Sequence, residues 1–98
     1  LLPAPKSALA AEWINLSGGV EAVLKRARTL ASQGEYALAC HLIETAHHAA
    51  PEDAAVHEVR AHIYRGYSAE QSSSMARNIL NHAALASEQG KRDLASSG

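Results

Sequence analysis

The chain has 98 residues and a formal net charge of −1, and 47% of its residues are hydrophobic although it contains no phenylalanine. This length suits one compact domain, whose core has to come from alanine, leucine, isoleucine and valine, as in closely packed helices. The small net charge argues against a nucleic-acid partner, because binding to phosphate backbones relies on clustered basic residues. The single cysteine, Cys40, excludes an intrachain disulfide and a thiolate-rich metal site.

The beginning of the chain, LLPAPK, is similar to a linker that enters a domain. It lacks the basic start and apolar stretch of a signal peptide, and no apolar run approaches the ~20 residues that span a bilayer. Membrane insertion is therefore not expected, and the compartment is left open. We treat residues 1–98 as one helical domain with a linker-like entry over 1–6. The missing initiator methionine suggests that the chain is part of a longer one.

Two helices are predicted in the first third of the chain. The first covers residues 7–16 and places three large apolar side chains on one face: Leu9, Trp13 and Leu16. Gly18 and Gly19 follow as a tight turn that ends this helix and lets the next one begin at once. The second helix starts at Val20, has apolar positions at helical spacing, and is expected to stop at Gly34.

The segment GEYALACHLIETAHHAAPED, residues 34–53, predicts a third helix with clear ends. Its apolar positions recur at steps of three and four: Tyr36, Ala39, Ile43, Ala46 and Ala50. The small alanines on this face allow another helix to approach closely. Pro51 cannot continue the helix, and Glu52 and Asp53 supply acidic groups for the start of the next one.

Two further helices complete the prediction. The fourth covers about residues 53–65 and is expected to close at Gly66. The fifth covers about residues 68–88, with Gly90 as its terminator and residues 91–98 as a frayed tail. Its apolar positions are Met75, Ile79, Leu80, Ala83 and Ala86. The weak helix propensity of the serines at 72–74 favours a start nearer Ser74.

No stretch of the chain shows the alternating β-branched pattern of a strand, so the predicted fold class is all-α with about five helices. One stretch also has the spacing of a tetratricopeptide repeat, carried by Ala27, Leu30, Gly34, Tyr36, Ala39, Ala46 and Pro51. The match covers about one repeat. The residues that follow do not complete a second repeat, because Gly66 comes too early. We expect tetratricopeptide-like antiparallel helix pairs in a small bundle and no extended array.

A second resemblance covers nearly the whole chain. The order of a proline-led entry, WINLSGGVEAVLKRAR, the segment over 34–53, GYSAEQ and MARNIL resembles the dimerisation domain of alkyl sulfatases in the metallo-β-lactamase superfamily. The matching positions are Trp13, Gly18, Gly19, Gly34, Tyr36, Ala39, Pro51, Arg77 and Asn78. The chain departs from the family at Leu38 and Ala76, where members often carry tryptophan, and this puts the particular subfamily in doubt.

The resemblance implies a noncatalytic module that joins two copies of a zinc-dependent sulfuric ester hydrolase through intertwined helices. The His-x-His-x-Asp-His metal motif of that family's catalytic domain does not occur in these residues. Zinc is accordingly expected only in an attached catalytic domain, and no catalytic, cofactor or metal residue is assigned here. The candidate interface or core residues are Leu9, Trp13, Leu16, Tyr36, Met75 and Ile79. The expected structural turns are Gly18, Gly19, Gly34, Pro51 and Gly66.

Two other function classes stay open at this point. A tetratricopeptide-type adaptor that holds a partner's peptide needs about three stacked repeats, and this chain has hardly more than one. A small metal-dependent enzyme would use His41, Glu44 and His48, which share a helix face. We favour exposed or partly packed histidines there, because no second element supplies a fourth ligand. Cys40 is interpreted as a small packed thiol, since His41 beside it points about 100° away around the helix.

Overall fold

The computed structural model describes residues 5–97, and these residues form five α-helices and no strand. The helices are α1 (Lys6–Leu16), α2 (Val20–Ser32), α3 (Tyr36–Ala49), α4 (Ala54–Ala69) and α5 (Ser74–Ser97). The prediction of an all-α fold with about five helices is confirmed. Most of the expected linker over 1–6 lies outside the described residues; Pro5 precedes α1, and Lys6 is already its first residue.

The helices pack in an order that leaves α1 and α5 at the two ends of the bundle. The central helices α2, α3 and α4 contact one another, while α1 packs on α3 and more lightly on α2. Within the described residues α5 packs on α4 alone. Each terminal helix is thus covered on one face by the bundle and is uncovered on the other.

The core is built from small and branched aliphatic side chains, as the composition required. Ile43, Val56 and Ile63 are completely buried, and alanines such as Ala39 and Ala46 are equally inaccessible where α3 meets its neighbours. Burying each large aliphatic side chain contributes about 1.5–3 kcal/mol, and the alanines let the helix axes come close enough to exclude water.

Glycines with positive φ make the two tight turns in the first half of the chain. Gly18 and Gly19 have φ of 102° and 103° between α1 and α2, and Gly34 has φ of 82° between α2 and α3. An L residue rarely adopts such angles, because its Cβ would crowd the backbone. The N–H of Gly19 donates to the carbonyl of Ile14 at 2.9 Å and so closes the end of α1.

The connection between α3 and α4 is short and capped. Helix α3 ends at Ala49, two residues before Pro51. The carboxylate of Asp53 accepts a hydrogen bond from the backbone N–H of Ala55 at 2.9 Å and thereby caps the start of α4. This pairing satisfies one of the free N–H groups of the first turn.

The expected helix end at Gly66 is wrong, because α4 continues to Ala69. Gly66 is instead the point where the ring of Tyr36 crosses α4. A Cβ at position 66 would lie 2.8 Å from the Tyr36 hydroxyl and 2.9 Å from its Cε1. The same ring stacks on Tyr67, with 5.7 Å between the ring centres. Glycine here makes room for a neighbouring helix rather than ending its own.

The end of the last helix also differs from the prediction. Helix α5 starts at Ser74 and passes through Gly90 to Ser97, so residues 91–97 are helical rather than frayed. A Cβ at Gly90 would lie 3.0 Å from Cε1 of His57, so this glycine again permits close packing. Hydrogen bonds from Gln89 to Asp93 and from Arg92 to Gln89 support the last turns. Gly98 lies outside the described residues.

A Gly66→Ala substitution is expected to lower the free energy of unfolding by about 1 kcal/mol, because overpacking against Tyr36 outweighs the better helix propensity of alanine. In a Tyr36→Ala background the ring is gone, and the same substitution should stabilise the protein by about 1 kcal/mol. Urea denaturation of the native chain, the two single variants and the double variant measures both values. An equal effect in the two backgrounds would show that Tyr36 is not the reason for glycine at this position.

Candidate association surface

Helix α1 is apolar on both faces. Its inner face buries Ala10 and Ile14 against the bundle. Its outer face carries the α1 stripe, which consists of Leu9, Trp13 and Leu16, and all three side chains are more than half exposed. Tryptophan offers the largest apolar area of any side chain, so a helix that exposes one between two leucines is suited to further burial.

Helix α5 carries a second uncovered stripe. The α5 stripe consists of Met75, Ile79, His82 and Ala86, which follow one another at spacings of four, three and four. All four are exposed; Met75 is 73% and Ile79 63% accessible. The opposite face of the same helix is packed on α4, where Ala84 and Ser87 are fully buried.

The charged side chains of α5 near this stripe point toward the bundle. Arg77 donates from Nη1 to the carbonyl of Gln71 at 2.9 Å, in the connection between α4 and α5. Glu88 pairs with Arg65 of α4 at 2.7 Å. Between Met75 and Ala86 the outer face of α5 therefore carries no Asp, Glu, Lys or Arg. An exposed face without charge is typical of the centre of a protein interface.

A shallow cavity adjoins the α1 stripe. It has a volume of about 240 Å³ and lies between α1, α2 and α3, lined by Trp13, Ile14, Ser17, Val23, Leu42 and Thr45. Its lining is mostly apolar, and the exposed Trp13 forms one wall. The α1 side of the bundle thus combines a projecting apolar stripe with a recess of side-chain size.

The six candidate interface or core residues fall into two groups. Five are exposed and form parts of the two stripes: Leu9, Trp13, Leu16, Met75 and Ile79. Tyr36 is half-buried, packs against the core and stacks on Tyr67. His82 and the half-exposed Leu38 and Leu85 are not among the candidate interface residues predicted from the sequence. Extending the spacing from Met75 and Ile79 by three would have found His82.

A polar cluster between α3, α4 and α5 fixes which face of α5 is turned outward. Arg60 on α4 lies at its centre and donates from Nε to Glu44 at 2.7 Å. Its Nη1 donates to Ser87 Oγ at 2.8 Å and to the carbonyl of Ala83 at 3.1 Å, both on α5. Tyr64 also donates to Glu44, at 2.7 Å. These contacts set the rotation of α5 about its axis and hence the direction of its stripe.

His57 extends this cluster to the turn after α3. Its Nε2 donates to the carbonyl of Pro51 at 2.7 Å, and its Nδ1 lies 3.2 Å from Ser87 Oγ. The ring also meets His47 edge-on, with 5.2 Å between the ring centres. The carbonyl of Pro51, in the turn after α3, therefore anchors His57 of α4, and the other ring nitrogen of His57 contacts α5.

The environment shifts the protonation of the groups around Arg60. Burial alone would raise the pKa of Glu44, but hydrogen bonds from Tyr64 and Arg60 and the guanidinium charge outweigh it and lower that pKa. Burial, together with the hydrogen bond to the Glu44 carboxylate, raises the pKa of Tyr64 well above its usual value. Glu44 is therefore ionised and Tyr64 neutral throughout the physiological range.

These contacts bear on two chemical roles considered for α3: a metal site at His41, Glu44 and His48, and the reactivity of the Cys40 thiol. Glu44 is engaged by Arg60 and Tyr64, while His41 and His48 are exposed. Among residues 5–97, no group of three or more His, Cys, Asp or Glu side chains is arranged to hold a metal ion. Burial raises the pKa of the Cys40 thiol to about 11, with a further contribution from Glu44. Cys40 is thus a protonated, weakly reactive thiol at neutral pH.

Acid is expected to destabilise the protein partly through His47. Burial and, next, the charge of Arg60 lower the pKa of His47, and its Nδ1 is buried without a hydrogen-bond partner among the described residues. The unfolded chain therefore takes up this proton first as the pH falls below about 6.5. The contribution of His47 to stability is complete above that pH and is lost as the pH falls through the lower folded-state pKa.

A His47→Gln variant should accordingly lose less stability than the native chain between pH 7 and pH 5. Urea denaturation at a fixed protein concentration over this range measures the difference. The matched control is His41→Gln, on the exposed side of the same helix, which should keep the native pH dependence. If the His47 and His41 variants have equal slopes, burial of His47 is not the source of the acid sensitivity.

Comparisons with known proteins place these surfaces in context. No helix in the described part of the chain combines the length and hydropathy needed to cross a membrane. The search of curated proteins and the search of solved structures each returned no match. A family model described as alkyl sulfatase dimerisation matches residues 1–90. The resemblance predicted from the sequence is confirmed, and the chain belongs to the alkyl sulfatase dimerisation family.

Proposed function

We propose that this chain is a noncatalytic self-association module that holds two copies of itself together through the exposed stripes of α1 and α5. The observation that carries this proposal is the pair of uncovered stripes, which together expose Leu9, Trp13, Leu16, Met75 and Ile79. Membership of a dimerisation family supports a second copy as the partner.

The energetics favour association through these faces. Full burial of one large apolar side chain contributes about 1.5–3 kcal/mol. Two copies bring five such side chains each, all more than half exposed in the single chain, and burying this remaining area would work against the ~4–15 kcal/mol that association costs in lost motion. The interaction is apolar, so added salt should change its strength little.

Light scattering or sedimentation equilibrium of the 98-residue chain tests this function. We expect twice the chain mass of 10.4 kDa at tens of micromolar, with the same value at low and at high salt. A strictly monomeric mass at high micromolar concentration would contradict self-association. A dimer that dissociates as salt is raised would instead indicate that charged contacts hold the two copies together.

We further propose that the module serves a zinc-dependent hydrolase of sulfuric esters, whose catalytic domain lies outside these 98 residues. The family match supports this context. In this proposal zinc and substrate are bound by that domain, and the present residues contribute only the association of two copies. The coding sequence next to Leu1 provides the test. A His-x-His-x-Asp-His motif there is the expected finding, and an unrelated sequence would remove the enzymatic part of the proposal.

A further inference from the structure

We infer that two copies pair reciprocally, so that the α1 stripe of each copy packs on the α5 stripe of the other around one two-fold axis. This pairing rests on the proposed self-association and specifies which surface of one copy meets which surface of the second. It follows from the separation of the two stripes in the single chain, from the symmetry of a closed dimer and from the shapes of the two surfaces.

The two stripes do not cover each other within one chain. Helices α1 and α5 lie at the two ends of the bundle, and residues 5–97 include no contact between these two helices. Trp13 at one end is 58% accessible, and Met75 at the other is 73% accessible. Both apolar surfaces are therefore left for a second copy.

Symmetry limits how a closed dimer can cover both stripes. A two-fold axis brings one patch of the surface onto its own copy, and every other contact is made twice, between two different patches. If α1 paired with α1 and α5 with α5, each chain would bind two partners, and an open chain of copies would grow. Contact between α1 of one copy and α5 of the other, made twice, buries both stripes and closes the pair.

The shapes of the two surfaces suit this contact, because each combines a projecting apolar side chain with a cavity. On the α1 side, Trp13 projects beside the cavity of about 240 Å³ described above. On the α5 side, the exposed Ile79 stands at a second cavity of about 250 Å³, which is lined by Tyr67, Gln71, Ala76, Ile79 and Leu80. In the reciprocal pair Trp13 of one copy enters the cavity beside Ile79 of the other, and that Ile79 enters the cavity beside Trp13.

The chemistry of the α5 stripe also suits a tryptophan. Met75 supplies a flexible thioether, which makes favourable contacts with aromatic rings. The indole N–H of Trp13 needs an acceptor once it is buried, and the neutral imidazole of the exposed His82 provides one. Leu85, which is half exposed and follows His82 by three positions, extends the apolar area beside the stripe.

Both stripes are held in place before association. Arg60 binds the carbonyl of Ala83 and the hydroxyl of Ser87 and so fixes α5 by its inner side. Helix α1 is anchored by the buried Ile14, whose carbonyl also accepts a hydrogen bond from Gly19. Reciprocal pairing therefore requires no rearrangement of the bundle.

A mixture of two variants with opposite defects tests the reciprocal pairing. Trp13→Lys disables the α1 stripe and Ile79→Glu the α5 stripe, so each variant alone should be monomeric, because both of its contacts contain an altered stripe. In the mixture one contact joins two intact stripes, and the other places the new lysine opposite the new glutamate. We expect the mixed dimer to bind at least ~10-fold more tightly than either variant binds itself, as measured by sedimentation with a mass tag on one chain.

The single tryptophan gives a second readout. In this mixture it is present only in the Ile79→Glu chain. Titration with the Trp13→Lys chain should shift its emission to shorter wavelengths, with the dissociation constant that sedimentation gives. Circular dichroism of each variant establishes that it is folded. Should Trp13→Lys fail to fold, Leu16→Lys, at a position 77% exposed, makes the same sedimentation test.

The matched control is a mixture of Trp13→Lys with Trp13→Glu. In the reciprocal arrangement every contact of this mixture contains an altered α1 stripe, so it should stay monomeric. Contact between two α1 stripes would instead place the lysine opposite the glutamate and give a dimer.

The outcomes separate the reciprocal pairing from the proposed function. If the native chain is dimeric, three results would each overturn the reciprocal pairing and leave self-association standing: a dimer in the control mixture, no mixed dimer in the first mixture, or a single variant that stays dimeric. A native chain that is monomeric would overturn both.

Discussion

An Ile79→Glu variant is expected to be monomeric at concentrations where the proposed self-association makes the native chain dimeric, with a dissociation constant raised at least ~100-fold, or about 2.7 kcal/mol. Ile79 is 63% exposed in the single chain, so the substitution leaves the folded monomer intact. In the associated pair the new carboxylate would be removed from water without a partner, which costs several kcal/mol. A sedimentation velocity series from 1 to about 200 μM measures the shift.

The matched control is Ala95→Glu, which adds the same charge to an exposed position of the same helix. It lies about 24 Å from residue 79 along the axis, beyond the stripe, and should leave the dissociation constant unchanged. Both variants should keep the native circular dichroism spectrum. An Ile79→Glu chain that stays dimeric would place the main contact on the α1 stripe, and Trp13→Ala would then be the variant that weakens association.

The ends of the first three helices could be predicted from the sequence because they depend on nearby residues. Gly18, Gly19 and Gly34 adopt a positive φ that the local turns require, and Pro51 stands two residues after the last residue of α3. Gly66 was misinterpreted because its role depends on a ring thirty residues earlier in the chain. The sequence alone does not distinguish a glycine that ends a helix from a glycine that makes room for a neighbouring side chain.

The sequence does not separate surface from core among the candidate residues, for a related reason. Tyr36 and Trp13 both stand at apolar positions of amphipathic helices, and helical spacing does not distinguish a side chain that meets the core from one that meets a partner. In the structure Tyr36 stacks on Tyr67, whereas Trp13 stays more than half exposed and is therefore a candidate for a contact outside the chain. The contacts of Arg60 join residues that are 16 to 27 positions apart, so no local sequence pattern predicts them.

Removing the Arg60 side chain should cause the largest loss of stability among the polar substitutions. Arg60→Ala is expected to lower the free energy of unfolding by about 2–4 kcal/mol. The substitution leaves the Glu44 carboxylate with only the Tyr64 hydroxyl, takes the donor away from Ser87 and Ala83, and removes the cation from the Tyr64 ring 4.9 Å away. Urea denaturation at one fixed protein concentration measures the loss, since association contributes to apparent stability.

Arg65→Ala is the matched control, because Arg65 lies five residues further along α4 and also bridges to α5, through Glu88 and Asn81. Its side chain is 44% exposed, against 14% for Arg60. Water can replace its partners, so its removal should cost much less stability than the removal of Arg60. Equal losses in the two variants would mean that burial does not set the strength of these contacts. The Arg60 variant should also become less sensitive to acid below pH 5, because the pKa of Glu44 moves back toward its unfolded value once the guanidinium is gone.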